Sequence, residues 1–143
     1  MNKVELMTAA AINAMDSIMN LTSSDNILIL TDVRCSNIAT AFKQAGFSKG
    51  CKVDVYRIDE RLRPIKEIPA GLISLLPGKT IVLNIIKALA EEIQFRIKWI
   101  FKVKETGRIK WIVNENIDIR HRDEWIVGHT DDVPLHSPSG FEE

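Results

Sequence analysis

The feature that most constrains the fold is the alternation of short apolar runs with helical patterns along the chain. Residues 27–30, 80–86 and 109–113 are apolar at nearly every position, while most segments between them carry apolar residues at three- and four-residue steps. Strands that are apolar on both faces are typical of parallel sheets covered by helices. The sequence therefore predicts an α/β protein, a three-layer Rossmann-like fold with a mainly parallel sheet of four or five strands and helices on both faces.

The remaining elements follow from the same patterns. Residues 51–58 alternate and predict a second, less buried strand, and residues 125–127 fit either a last short strand or a helix end. Helices are predicted at residues 3–20, from Ser36 onward, at 70–76 and at 87–105. In the last helix the spacing predicts one apolar face and turns Trp99, Lys98 and Lys102 away from it. The predicted apolar face consists of Leu89, Ile93, Ile97, Ile100 and Phe101.

Length and composition limit the organisation and the partners. A chain of 143 residues predicts a single α/β domain over residues 1–128, followed by a polar C-terminal tail at 129–143. The 19 basic and 19 acidic residues cancel, so we expect neither a nucleic acid nor a membrane partner. The two cysteines lack the spacing of a metal or redox motif, and no targeting segment is recognisable, which predicts a cytoplasmic protein with reduced thiols.

Polar residues at the predicted carboxyl ends of the strands are the candidates for ligand binding, because ligands of such sheets bind at that edge. The candidates are Asp32, Ser36, Asp59, Asn84 and Glu115. Asp32 could equally cap the turn or pair with Arg34. Ser36 could form a loose anion site with its neighbours or merely cap the helix.

Known nucleotide-binding and nucleophile motifs are not matched. No glycine follows Leu30 before the predicted helix, which excludes the dinucleotide fingerprint. Gly78-Lys79-Thr80 imitates the end of a P-loop, but its strand follows the lysine instead of preceding it. Cys35 near a helix start could have a lowered pKa, but no phosphatase-type motif follows it, and a packed or surface thiol is the preferred interpretation. Catalytic residues are therefore unknown from the sequence.

The C-terminal segment offers candidates for a metal site. His129, Asp131 and His136 carry ligand groups suited to a divalent cation, yet a solvated tail explains the same composition. The sequence therefore predicts no cofactor.

Four stretches of the chain carry a resemblance to a known family. They are residues 11–21 (AINAMDSIMNL), 25–32 (DNILILTD), 50–55 (GCKVDV), and Phe95-Arg96 together with 106–109 (TGRI). In these and in the order of its elements, residues 9–118 resemble the N-terminal domain of the thermophilic metallo-aminopeptidases of the aminopeptidase T or leucyl aminopeptidase type. The resemblance implies the fold of that lobe. The family's metal ligands belong to a separate C-terminal domain, so none of them is carried over to this chain.

The leading functional hypothesis is a non-catalytic domain that acts as a binding or oligomerisation module, in a homo-oligomer or with a protein partner. Trp99, Phe101 and Trp111 are the expected partner surface if they are exposed. One alternative is a small-ligand-binding protein or enzyme that uses the carboxyl edge of the sheet. Another is a metal-dependent, peptidase-like hydrolase completed by other residues.

Overall fold

The computed structural model describes residues 21–114 and 126–129, and three single residues of the predicted first helix, Leu6, Ala9 and Ile12, which are helical. Three of the predicted site residues lie outside this part of the chain: Glu115, Asp131 and His136.

The described elements alternate between strand and helix. In chain order they are β1 (Asn26–Thr31), α1 (Ser36–Ser48), β2 (Lys52–Arg57), α2 (Ala70–Leu75), β3 (Ile81–Ile85), α3 (Ile93–Glu105), β4 (Trp111–Asn114) and β5 (Ile126–His129). Short 3-10 turns at Val33–Cys35 and Ala90–Glu92 lead into α1 and α3, and a third lies at Glu60–Leu62. The α/β class predicted from the sequence is confirmed.

The described strands form one sheet in the order β2-β1-β3-β4-β5. The first four run parallel, and β5 pairs antiparallel with β4. From β1 the chain moves to one side to form β2 and then returns to the other side to form β3. The point where the direction reverses therefore lies between β1 and β3, which is where ligands of open parallel sheets commonly bind.

Helices pack on both faces of this sheet because successive side chains of a strand point in opposite directions. Ile27 and Ile29 of β1 belong to an apolar cluster that includes Phe42 of α1. Leu28 and Leu30 belong to a second cluster with residues of α2 and α3. Every residue of β3 is buried, as expected for a central strand covered on both sides.

The predicted orientation of α3 is confirmed for Ile100, which is buried, and wrong for Trp99 and Phe101. Trp99 is buried, with 2% of its surface exposed, whereas Phe101 is 44% exposed. Among the buried residues of α3, Phe95, Trp99 and Val103 are also spaced four residues apart, and Arg96 and Ile100 are buried beside them. Two apolar stripes thus run along this helix, and the larger aromatic side chains occupy the core. The indole Nε1 of Trp99 also donates a hydrogen bond of 2.8 Å to Oδ1 of Asn84 in β3.

Residues 126–129 form a strand, which settles the choice between strand and helix end, and His129, the first residue of the predicted tail, is the last residue of β5. Within the described residues, no helix combines the length and apolar character needed to cross a lipid bilayer.

Candidate functional site

Asp32 lies at the carboxyl end of β1, beside the point where the strand order reverses, and its side chain is completely buried. Its Oδ1 accepts a hydrogen bond of 3.0 Å from the backbone N–H of Cys35 and so caps the turn before α1. Its Oδ2 accepts bonds of 2.8 Å from the N–H of Lys87 and 2.7 Å from Nη1 of Arg63. Asp32 therefore ties the end of β1 to the segments that follow β2 and β3.

Arg63 is the centre of this arrangement, and all five of its N–H donors have acceptors. Nε donates to Oε2 of Glu92 at 3.0 Å, and Nη2 donates to Oε1 of Glu92 at 2.5 Å and to the carbonyl of Lys87 at 3.0 Å. Nη1 donates to Asp32 and, at 3.2 Å, to Oε2 of Glu60. The guanidinium binds Glu92 through two parallel bonds, which is the strongest geometry for this kind of pair.

Glu92 completes the cluster from the turn that precedes α3. Its side chain is fully buried, and its Oε2 also accepts a bond of 2.9 Å from the N–H of Ile65. One guanidinium and two carboxylates thus hold the loop after β2 against the loop after β3. We refer to Asp32, Arg63 and Glu92 as the buried ionic cluster.

The electrostatics of the cluster favour its charged form. Burial alone would raise the pKa of Asp32, but the hydrogen bonds from Lys87, Arg63 and Cys35 outweigh it and lower that pKa. Burial likewise opposes the charge of Arg63, yet its bonds to Glu92 and Asp32 raise its pKa above the usual range. Both groups therefore remain ionised at neutral pH.

Cys35 is not an activated thiol. It is 1% exposed, and burial together with the adjacent carboxylate of Asp32 raises its pKa above the usual value. The packed thiol preferred from the sequence is confirmed, and the alternative of a lowered pKa is wrong, because a buried site beside a negative charge disfavours the thiolate.

The other predicted site residues have different surroundings. Ser36 is half-buried, and its Oγ donates to the carbonyl of Val33 at 3.2 Å, so it does not cap α1. The side chain that caps the preceding turn belongs to Asp32. Asp59 lies at the surface, where it pairs with Arg61 at 2.8 Å. Asn84 is buried under α3 and accepts the indole bond of Trp99.

Metal ligation has no structural support in the part of the chain that is described. No group of three or more His, Cys, Asp or Glu side chains there is arranged to hold a metal ion. Of the tail candidates, only the backbone of His129 is described. It lies in β5, opposite Trp111 of β4.

Sequence reasoning missed Arg63 and Glu92. Both look like surface residues, one in a polar loop and the other at a helix start, and they lie 29 residues apart. Only the predicted topology carried a signal, since it brings the loops after β2 and β3 to the edge where Asp32 lies.

Comparisons with known proteins identify no relative. No protein-family model matches the chain, and neither a curated protein nor a solved structure matches it.

Proposed function

We propose that this chain is a non-catalytic α/β module that binds a second copy of itself. The observation that carries the proposal is the complete internal pairing of the buried ionic cluster. All five donors of Arg63 and all four carboxylate oxygens of Asp32 and Glu92 are engaged within the chain. A ligand at this edge would have to break these bonds and leave a buried charge unpaired, which is costly.

The architecture is consistent with the lobe that the sequence resembles. We propose that the chain adopts a three-layer Rossmann-like fold of five strands, similar to the N-terminal domain of the metallo-aminopeptidases. Support comes from the order of strands and helices, from the apolar clusters on the two sheet faces, and from the Thr31-Asp32 ending of β1.

The outer edge of β2 is the surface that we propose for self-association. Among the described strands β2 has a neighbour on one side only. The N–H of Ile58 bonds to the carbonyl of Thr31 at 2.9 Å, so Ile58 directs its backbone groups toward β1. Because direction alternates along a strand, the N–H and C=O groups of Val53, Val55 and Arg57 point outward. Such an edge is a template for another strand.

A two-fold axis through Val55 gives an antiparallel pairing without electrostatic conflict. The two copies of Val55, each 39% exposed, would then face each other and exchange backbone hydrogen bonds. Asp54 would lie opposite Tyr56, and Val53 opposite Arg57, so no like charges would meet. The two sheets would become one continuous sheet.

The test replaces Val55 by proline, with Val55→Thr as the matched control. Proline removes the outward N–H of residue 55 and leaves the bonds between β1 and β2 intact, because these come from the alternate residues. Threonine is also β-branched and keeps the N–H. We expect the parent chain and Val55→Thr to sediment as dimers in sedimentation velocity, and Val55→Pro to sediment as a monomer. Circular dichroism should show that Val55→Pro is folded.

A parent chain that is monomeric at all accessible concentrations would refute the proposal. A Val55→Pro dimer as stable as that of Val55→Thr would refute the β2 interface in particular. A loss of helical signal in Val55→Pro would call for Val55→Lys, which retains the N–H but places charges face to face across the proposed axis.

We propose a cytoplasmic protein that takes no cofactor and binds neither nucleic acid nor membrane. Support comes from the formal net charge of +0 and from Cys35 and Cys51, which are buried free thiols in the structure.

A further inference from the structure

The exposed apolar surface of β2 is too small to hold a dimer by itself. Val55 is the one large apolar residue of this strand that is exposed. A stable interface between proteins buries about 800 Å² on each partner, far more than one valine side chain provides. If two copies pair through β2, further apolar surface must therefore meet beside the paired strands.

α1 lies on the face of the sheet to which Val55 points. Val55 pairs with Ile29 in the parallel register, so the two side chains point to the same face. Ile29 belongs to the apolar cluster that includes Phe42 of α1. The exposed side chain of Val55 and α1 are therefore on the same side of the sheet.

The end of α1 lies above the space between β1 and β2. A Cβ at Gly46 would be 2.8 Å from Val53 of β2 and 3.1 Å from Ile27 of β1. The proposed two-fold axis is perpendicular to the sheet and half a strand spacing beyond β2, so α1 and its copy lie on one face. Since strands are about 4.8 Å apart, the two helices would be about 10 Å apart, the usual separation of packed helices.

Phe47 and Lys43 extend from α1 toward this axis. At about 3.6 residues per turn, both lie on the same flank of the helix as Gly46, and the right-handed crossover from β1 to β2 turns this flank toward β2. Both are exposed, Phe47 by 51%. Nζ of Lys43 lies 5.8 Å from the centre of the Phe47 ring.

Lys43 is the residue of this flank that lies nearest to the axis. Val55 is two residues beyond Val53, which is about 6.6 Å along the strand. α1 runs opposite to β2 and covers about 6 Å in the four residues before Gly46. The level of Val55 therefore falls near Phe42, and Lys43 is the adjacent residue that points outward.

We propose that α1 packs antiparallel against α1 of the partner subunit, with two copies of Lys43 face to face at the axis. Phe47 is then one turn from the axis and lies over Thr40 of the partner subunit, whose small side chain leaves room for the ring. This contact rests on the proposed pairing of β2. α1 contains no Asp or Glu, so neither helix supplies a carboxylate between the two lysines. Salt therefore strengthens the dimer, because it screens their repulsion.

The first test mixes the parent chain with nitrogen-15-labelled Lys43→Glu, so that the two homodimers and the mixed dimer differ in mass. Native mass spectrometry gives their proportions. We expect clearly more mixed dimer than the half that random pairing gives, because lysine then faces glutamate. Lys66→Glu is the matched control and should pair at random, since Lys66 is exposed next to Ile65, which packs on the opposite face of the sheet.

The second test measures the dissociation constant of the dimer by sedimentation velocity at low and high salt. Between about 0.05 and 0.5 M NaCl we expect the parent chain to bind several-fold more tightly, and Lys43→Gln to change little. Phe47→Ser should weaken the dimer at least about tenfold. Its circular dichroism should match that of the parent, because the ring is exposed in the single chain.

The outcomes separate this contact from the pairing on which it rests. Random mixing of Lys43→Glu in a dimer that Val55→Pro dissociates would overturn the helix contact and leave the β2 pairing intact. An equal excess of mixed dimer with Lys66→Glu would mean that net charge, and not a facing pair, is the cause. A dimer that Phe47→Ser does not weaken would also overturn the helix contact. A monomeric parent chain would overturn both proposals.

Discussion

Arg63 is the single residue on which the carboxyl edge depends most. Arg63→Met would leave Asp32 and Glu92 buried without their cation, and breaking a buried pair typically costs about 3–5 kcal/mol. We expect the midpoint of urea unfolding to fall by more than about 1 M. Arg61→Met is the matched control, because Arg61 is two residues away and 88% exposed. It should unfold like the parent, and equal losses in the two variants would contradict a structural role of the cluster.

The lowered pKa of Asp32 also determines how we expect the unfolding free energy to change with pH. Its pKa is lower in the folded chain than its ordinary value, so the unfolded chain binds more protons as the solution is acidified. The stabilisation is complete above the unfolded pKa of about 3.9 and is lost as pH falls through the folded value. We expect the unfolding free energy to decline below about pH 4, and to decline less steeply in Asp32→Asn.

A residual decline should remain in Asp32→Asn, because Asp25 has a lowered pKa as well. Burial opposes the charge of Asp25, but hydrogen bonds from Lys110, Thr22 and Thr80 outweigh it. Urea titrations of both chains at several pH values would check this, and parallel pH curves for the parent and Asp32→Asn would contradict it.

At the scale of elements, the contact of α1 with the sheet depends on a glycine. A Cβ at Gly46 would lie 2.8 Å from Cγ2 of Val53 and 3.1 Å from Cδ1 of Ile27, and these apolar atoms belong to packed strands. Gly46→Ala should therefore cost about 1–3 kcal/mol from overpacking, despite the higher helix propensity of alanine. The penalty should shrink in a Val53→Ala background, as measured by a double-mutant cycle in urea. A stabilising Gly46→Ala would mean that α1 shifts without strain.

The elements were predictable where local pattern decides the structure, and less so where packing decides it. The apolar runs of β1 and β3 identify central strands, since few other environments accept a residue run such as Ile27–Leu30. The buried face of α3 was not predictable from spacing, because Phe101 and Trp99 both belong to apolar stripes, and only the hydrogen bond to Asn84 and the shape of the core distinguish them. The same limit applies to the site. Asp32 could be identified from its place after a strand, whereas its partner Arg63 lies 31 residues away in a loop.

At the scale of the whole molecule, the topology explains why the chain can be a scaffold. The reversal of strand order between β1 and β3 opens a crevice at the carboxyl edge, and in this chain two loops close it through the buried ionic cluster. The proposed self-association uses β2, one of the two outer strands of the described sheet. The mass of the intact assembly, which reports its number of chains and its bound ions, therefore discriminates between the functional hypotheses better than an activity assay.

Native mass spectrometry of the intact protein, with and without zinc, cobalt and manganese, measures oligomer mass and bound ions together. We expect a dimer whose mass does not change when the ions are added, because all four carboxylate oxygens of Asp32 and Glu92 already accept hydrogen bonds within the chain. The Arg63→Met variant is the informative comparison, since it exposes the same carboxylates to added metal. One ion bound per parent chain, or a tightly bound small molecule, would contradict the module and favour the hydrolase or the ligand-binding enzyme. Mutation of Asp32, His129 and Asp131 would then identify the ligands.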